Sequence, residues 1–149
     1  MRKLLLILIC TFLVACGSEE KEEVTYTFDD PIAQDIADHI VERHKGDTEI
    51  LDIVINPNLG SDIEGLKVAL VYLKFKPALT ENTTKEEIEL FSNGIGNLMT
   101  DKYDEVSDLT VFWEVPYHKE DNNIVKHNYG RDSRGMYHKS AEYFPPFSN

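Results

Sequence analysis

The sequence has little cysteine, and what it has lies near the beginning. Cys10 and Cys16 are its only two cysteines in 149 residues. Because no cysteine follows position 16, the rest of the chain has no internal disulfide, no cysteine-based zinc site and no thiol nucleophile. Its stability must come from an ordinary hydrophobic core, and the length suits a single domain with one such core.

Basic residues are also scarce. The chain carries 15 Lys and Arg against 27 Asp and Glu, which gives a formal net charge of −12. An acidic surface repels the phosphates of nucleic acids and the headgroups of anionic lipids. Composition therefore argues against nucleic acid as a partner.

Long hydrophobic runs are missing as well. The apolar run at the start, residues 4–15, has twelve residues, whereas a helix that crosses a bilayer needs about twenty. Arg2 and Lys3 precede the run, and small residues end it, which is the order of a secretory signal peptide. A short membrane anchor or a buried helix is disfavoured, because the charged residues Glu19–Glu23 follow almost at once.

The end of this run carries a specific motif. Leu13-Val14-Ala15-Cys16 resembles the lipobox of bacterial lipoprotein precursors, in which aliphatic and small residues precede an obligatory cysteine. The resemblance implies that a diacylglyceryl group is attached to the Cys16 thiol and that a peptidase then cleaves before it. Two or three acyl chains hold a protein stably at a membrane without spanning it. No cofactor other than this covalent lipid is expected.

The resemblance also implies a location. Lipidated at Cys16, the protein would be extracytoplasmic and anchored to the cell membrane. Gly17 stands where an Asp marks inner-membrane retention in many Gram-negative lipoproteins, so an outer-membrane location is open if the host has one. Loss of residues 1–15 removes Arg2 and Lys3, which leaves 13 basic against 27 acidic residues and changes the net charge from −12 to −14.

Three segments follow from these observations. Residues 1–15 are the predicted signal peptide, which is removed. Residues 16–28 are predicted to be the lipidated cysteine and an acidic, flexible spacer, because they show no apolar periodicity. Residues 29–149 are predicted to form a single α+β domain that ends in an aromatic and proline-rich tail.

Apolar periodicity predicts the elements of that domain. Asp30 and Pro31 start a first helix, and a capping box from Thr84 to Glu87 starts a second one. The first helix is followed by two strands, the second by a strand and a shorter fourth strand. These strands are predicted over residues 51–56, 66–75, 109–115 and 124–129, and a short helix is possible at 140–143. The predicted fold is a two-layer α+β sandwich in the order α-β-β-α-β-(β), with helices on one face of a mainly antiparallel sheet.

Two further details of the packing are predicted. The strand over 66–75 is apolar on both faces, which places it inside the sheet. Gly94 and Gly96 lie within the second helix, where each costs roughly 1 kcal/mol relative to alanine. We expect this cost to be offset by close packing of the helix on the sheet, although a kink would also explain the glycines.

The histidines are the first candidates for chemistry. If Asn122 and Asn123 form a two-residue hairpin loop, then His118 lies opposite His127. Two facing imidazoles could hold a divalent metal. A third ligand could come from Glu120, Asp121 or His138. The alternative is that these histidines are solvated residues of a polar hairpin, each beside a lysine, so the sequence assigns no metal and leaves His118 and His127 as candidates.

Aromatic residues form the second candidate site. Tyrosines with a polar tip, on loops, suit a recognition surface for a protein or a cell-wall glycan. The residues of this possible ligand or partner surface are Trp113, Tyr117, Tyr129, Tyr137 and Tyr143. The other interpretation is that the tail folds back and closes the open end of the core. Both interpretations stay open at this point.

The sequence carries no recognisable catalytic motif, and its paired carboxylates are explained by helix capping. The leading prediction is a non-catalytic binding module that the lipid holds at the membrane, with a protein or cell-wall partner. One alternative is a metal-assisted hydrolase that uses His118 and His127 with Glu114 or Asp121. Another alternative is a structural subunit of an envelope complex.

Overall fold

The computed structural model describes residues 25–44, 46–57 and 64–147. The predicted signal peptide, Cys16 and most of the predicted spacer lie outside the described residues. The described chain is an α+β protein with two helices and a five-stranded sheet. In chain order the elements are α1 (Pro31–Arg43), β1 (Thr48–Pro57), β2 (Lys67–Phe75), α2 (Glu81–Lys102), β3 (Val106–Val115), β4 (Lys119–Asp132) and β5 (Gly135–Tyr143).

The strands lie side by side in sequence order, from β1 to β5. Three of the neighbouring pairs are antiparallel, and β2 and β3 are parallel. The parallel pair follows from the long connection through α2, since a crossover returns the chain to the edge of the sheet where it started. The predictions of a mainly antiparallel sheet and of an internal β2 are confirmed.

The predicted element order was incomplete at its end. The possible short helix at 140–143 is wrong, because those residues belong to β5, which pairs antiparallel with β4 along its length. The fourth strand is also longer than predicted and reaches from Lys119 to Asp132. The observed order is therefore α-β-β-α-β-β-β.

The start of α1 agrees with the prediction. Asp30 is the N-cap, and its carboxylate accepts hydrogen bonds from the backbone amides of Ile32 at 2.8 Å and Ala33 at 3.4 Å. Pro31 occupies the first helical position, where a missing amide hydrogen removes no helical hydrogen bond. Local chemistry is enough to fix this end of the helix.

The start of α2 differs from the prediction. Thr80 is the N-cap, and its hydroxyl accepts from the amide of Thr83 at 3.4 Å. The capping box predicted at Thr84 is wrong, because Thr84 is buried one turn inside the helix. Thr84 continues the buried stripe of Ile88, Ser92 and their neighbours, so the apolar face begins one turn earlier than the sequence pattern indicated.

The core lies between the helices and one face of the sheet. Alternate residues of the neighbouring inner strands β2 and β3 are fully buried, in keeping with the two-residue period of a strand. These residues are Ala69, Val71, Leu73 and Phe75 of β2 and Leu109, Val111, Trp113 and Val115 of β3. The buried stripes of α1 and α2 belong to the same cluster.

Residues before α1 join this core. Tyr26 and Phe28 are partly buried and pack against the cluster. The hydroxyl of Tyr26 accepts a hydrogen bond from the backbone amide of Ile50 at 3.3 Å. The packed part of the chain therefore includes the last residues of the segment predicted to be a spacer.

Gly96 shows why α2 contains glycine. A Cβ at Gly96 would lie 3.4 Å from the ring of Tyr129 on β4, a tight contact. The prediction that the helix packs closely on the sheet is thereby confirmed at this position. Gly94 faces α1 instead, where a Cβ would lie 3.5 Å from His39 Nε2. Neither helix of the described chain is both long and apolar enough to cross a membrane.

Candidate functional site

The residues predicted to form an aromatic partner surface do not lie together on one exposed surface. Trp113 and Tyr129 are buried in the core, so the prediction that they contribute to a partner surface is wrong. Both face the helices, because they occupy alternate positions of β3 and β4 that point into the core. Tyr117 and Tyr137 are exposed, but Tyr117 lies in the turn after β3 and Tyr137 lies on β5. Tyr143 is partly buried against the core.

The tail closes the core. Phe147 is 1% exposed and belongs to the core cluster. Its backbone amide donates to the carbonyl of Phe144 at 2.8 Å, which turns the chain inward. Lys85 of α2 places its ammonium 5.0 Å from the ring centroid of Tyr143 and 5.6 Å from that of Phe147. Of the two interpretations of the aromatic tail, the structure favours core closure.

His118 and His127 do not face each other. Val115 pairs with Lys119, so the β3–β4 turn lies at residues 116–118 and not at Asn122 and Asn123. His118 sits in this turn, and its ring centroid lies 4.8 Å from that of Phe147. His127 pairs with Val111 instead. The facing pair of His118 and His127, which the sequence left as a metal candidate and as the basis of the alternative hydrolase, is therefore not formed.

The structure brings His127 together with His138. His127 Nδ1 lies 3.3 Å from His138 Nε2, close enough for one hydrogen bond between the rings. His127 is fully buried, whereas His138 is exposed. Burial, with a smaller contribution from the charge of His138, lowers the pKa of His127 to about 4. The buried imidazole is therefore neutral at physiological pH.

An irregularity between β4 and β5 creates this pair. Asn128 pairs with Ser140, but the next residue, Tyr129, pairs with His138, so one residue of β5 is left over. Such a bulge changes which side chains point to each face of a sheet. Because of it, His138 joins Tyr129 and His127 on the helix side, and Lys139 bonds to Asp108 at 2.8 Å. With a regular register, Lys139 and not His138 would pair with Tyr129.

A second site lies between the helices. A groove of about 840 Å³ runs between α1 and α2. His39 and His44 line it from the α1 side, and Leu90, Asn93 and Asn97 line it from α2. Leu90 is 64% exposed, and it is the exposed apolar side chain of a groove whose other lining is mostly polar or charged.

Both histidines of the groove are held neutral by their surroundings. The ring of His44 lies against Phe91, with centroids 3.7 Å apart. Burial lowers the pKa of His39 and that of His44, and the positive charge of Arg43 lowers both further. In the described part of the chain, the Nε2 atoms of these two residues are buried and have no hydrogen-bond partner. Neither histidine is among the candidate site residues that the sequence predicts.

No complete metal centre is formed by protein side chains in the described residues. Within them, no three His, Cys, Asp or Glu side chains are grouped so that they could hold one ion. Glu114, suggested as a partner of the histidines, pairs with Asn123 and Lys74 in the sheet and alternates with the buried Trp113. It therefore lies on the face away from His127.

Comparisons with known proteins give no relative for this chain. No family model, no curated protein and no solved structure matches it significantly.

Proposed function

We propose that this chain is a bacterial lipoprotein, anchored by acyl chains on Cys16, whose folded domain binds a partner protein outside the cytoplasm without catalysis. The lipobox-like Leu13–Cys16 after a short apolar run supports the anchor and the extracytoplasmic location. Acyl chains would hold the acidic domain near the membrane even though its charge gives no attraction to anionic headgroups.

The finer fold proposal is a two-layer sandwich with both helices on one face of the sheet. Contacts from α2 support it: Ser92 bonds Trp113, and Asn93 bonds Tyr129, both on the buried side of the strands. The stacked rings of Tyr72 and Phe112, 4.6 Å apart, occupy alternate positions on the other side. This arrangement leaves the outer side of the helix layer, with its groove, free to meet a partner.

The groove between α1 and α2 is the observation that carries the binding proposal. It combines an exposed apolar side chain, Leu90, with the amides of Asn93 and Asn97, which both donate and accept hydrogen bonds. The groove is also lined by charged side chains of both signs, namely Glu42, Arg43, Asp101 and Lys102. A mainly polar groove with one exposed leucine suits a polar peptide segment, which brings its own backbone donors and acceptors. We therefore place the partner's contact there and not on the aromatic residues predicted from the sequence.

Site-specific photocrosslinking in the host tests this placement. A photoreactive amino acid replaces Asn97 in the groove, and in a matched control it replaces Tyr137, an exposed residue on β5. We expect a discrete crosslinked product from position 97 alone, and we expect Leu90→Arg to abolish it. Equal products from both positions, no product, or a product that persists in Leu90→Arg would contradict the proposal.

A further inference from the structure

The distance between His127 and His138 matches that of two ligands on one metal ion. Zinc binds imidazole nitrogen at about 2.0–2.1 Å, so two nitrogens at a tetrahedral angle around it lie about 3.3–3.4 Å apart. His127 Nδ1 and His138 Nε2 are 3.3 Å apart, and their ring centroids are 5.4 Å apart. The two strands already hold the nitrogens at the separation that such an ion requires.

His127 contacts His138 through Nδ1, one of its two ring nitrogens. The residue is fully buried, yet its Nε2 has no hydrogen-bond partner among the described residues. Its other nitrogen can bond only through the exposed ring of His138. An imidazole that binds a metal through Nδ1 keeps its proton on Nε2, so the unpaired Nε2 is compatible with a ligand role for Nδ1 but is not explained by it. A neutral imidazole is also the form that binds a metal.

The charges around the pair are compatible with a cation. Lys126 and Lys139, which flank the histidines in sequence, bond to Glu142 at 3.0 Å and to Asp108 at 2.8 Å, away from the ring contact. On the helix side, burial raises the pKa of Tyr129 and that of Tyr143, and the carboxylate of Glu89 raises both further.

The other cation on this side is also paired. Lys85, whose ammonium lies over the ring of Tyr143, forms an ion pair with Glu81 at 3.0 Å. Neighbouring lysines therefore each have a carboxylate partner of their own.

From these observations we propose that His127 and His138 bind one divalent transition-metal ion of the kind that prefers imidazole, such as zinc. Two protein nitrogens leave the remaining positions to water, since the described residues supply no third ligand of the usual types. The ion enters from the side of His138, which is exposed. This site is separate from the groove between the helices, and it does not depend on the proposed function.

Calorimetric titration with Zn²⁺ tests the site in the full chain, in detergent and without a histidine tag. Cys10→Ser and Cys16→Ser are present in every variant, because free thiolates would bind zinc themselves. We expect one zinc per chain and a loss of affinity of about tenfold or more in His138→Asn, which removes one of two protein ligands. His118→Asn is the matched control, because His118 contacts Phe147 and lies outside the pair.

Two further measurements keep the result interpretable. Thermal unfolding followed by circular dichroism shows whether His138→Asn folds like the parent, which its exposure predicts. Nitrogen NMR of the imidazoles should show zinc shifting His127 Nδ1 and His138 Nε2 together. The proposal is overturned if no saturable binding at one ion per chain occurs, if His138→Asn binds like the parent, or if His118→Asn loses the binding instead.

Discussion

Trp113 and Ser92 form a hydrogen bond inside the core. The indole Nε1 donates to the hydroxyl of Ser92 at 2.9 Å, and that hydroxyl donates to the carbonyl of Ile88 at 2.7 Å. Both side chains are fully buried. A serine inside the apolar stripe of α2 thus provides the single polar contact that a buried tryptophan needs.

Removing this hydroxyl should destabilise the fold. Ser92→Ala leaves the indole N–H buried without an acceptor, and we expect a loss of about 1–3 kcal/mol in the free energy of unfolding. Chemical denaturation measures it. The control is the same substitution in a Trp113→Phe background, where no donor is left unpaired and the loss should be much smaller. An equal loss in both backgrounds would show that the hydrogen bond is not the cause.

Arg131 closes the end of α2. Its guanidinium donates to the carbonyls of Met99 at 2.6 Å, Tyr103 at 2.8 Å and Val106 at 2.7 Å. The last carbonyls of a helix have few partners within the helix, and Arg131 from β4 supplies N–H donors there. It adds to the bond that the Met99 carbonyl accepts from the Tyr103 amide, and it ties the helix end to Val106 of β3.

We therefore expect Arg131→Met to lower the free energy of unfolding by about 2–4 kcal/mol, because several charge-assisted hydrogen bonds are lost together. Arg134→Met is the matched control, since Arg134 is exposed and forms an ion pair with Asp132 alone among the residues that the structure describes. Exposed ion pairs contribute about 0–1 kcal/mol. Similar losses for the two variants, measured by urea denaturation, would refute the capping role.

Acid should weaken the packing of α1 against α2. Folding lowers the pKa of His39 and of His44 from 6.5, so below about pH 6.5 the unfolded chain binds more protons than the folded chain. The free energy of unfolding should therefore fall as the pH drops from 7.5 to 5, while above pH 7 these residues should contribute no slope.

Variants separate these histidines from other titrating groups. His39→Gln and His44→Gln should each flatten the pH dependence, and the double variant should flatten it most, whatever their stability at pH 7.5. The measurement is a denaturant titration at several pH values. A double variant with the slope of the wild type would contradict the assignment.

Elements with local signals could be predicted from the sequence. The start of α1 depends on Asp30 and Pro31, and the strand β3 alternates regularly between buried and half-buried residues. The start of α2 was ambiguous because Thr80 and Thr84 offer the same hydroxyl. Thr84 is buried within α2, and Thr80 is therefore the residue that caps the helix.

β5 and the histidine pair depend on contacts that sequence patterns do not carry. No residue of β5 is fully buried, so its apolar and polar residues do not alternate clearly. The turn before it needs Gly135, which has φ +118° and whose Cβ would overlap Thr100 of α2. A single-residue bulge then decides that His138, and not Lys139, lies beside Tyr129. A shift of one residue reverses the faces of a strand, so no local pattern could have paired the histidines.

The most direct test of the account is the chemical state of Cys16 in protein extracted from host membranes. Mass spectrometry should find a chain that begins at Cys16 and carries diacylglyceryl on its sulfur, and Cys16→Ser should abolish both cleavage and palmitate labelling. Cys10→Ser, the matched control within the apolar run, should leave both unchanged. Palmitate labelling that persists in Cys16→Ser, or a mature chain that begins elsewhere, would contradict the lipid anchor.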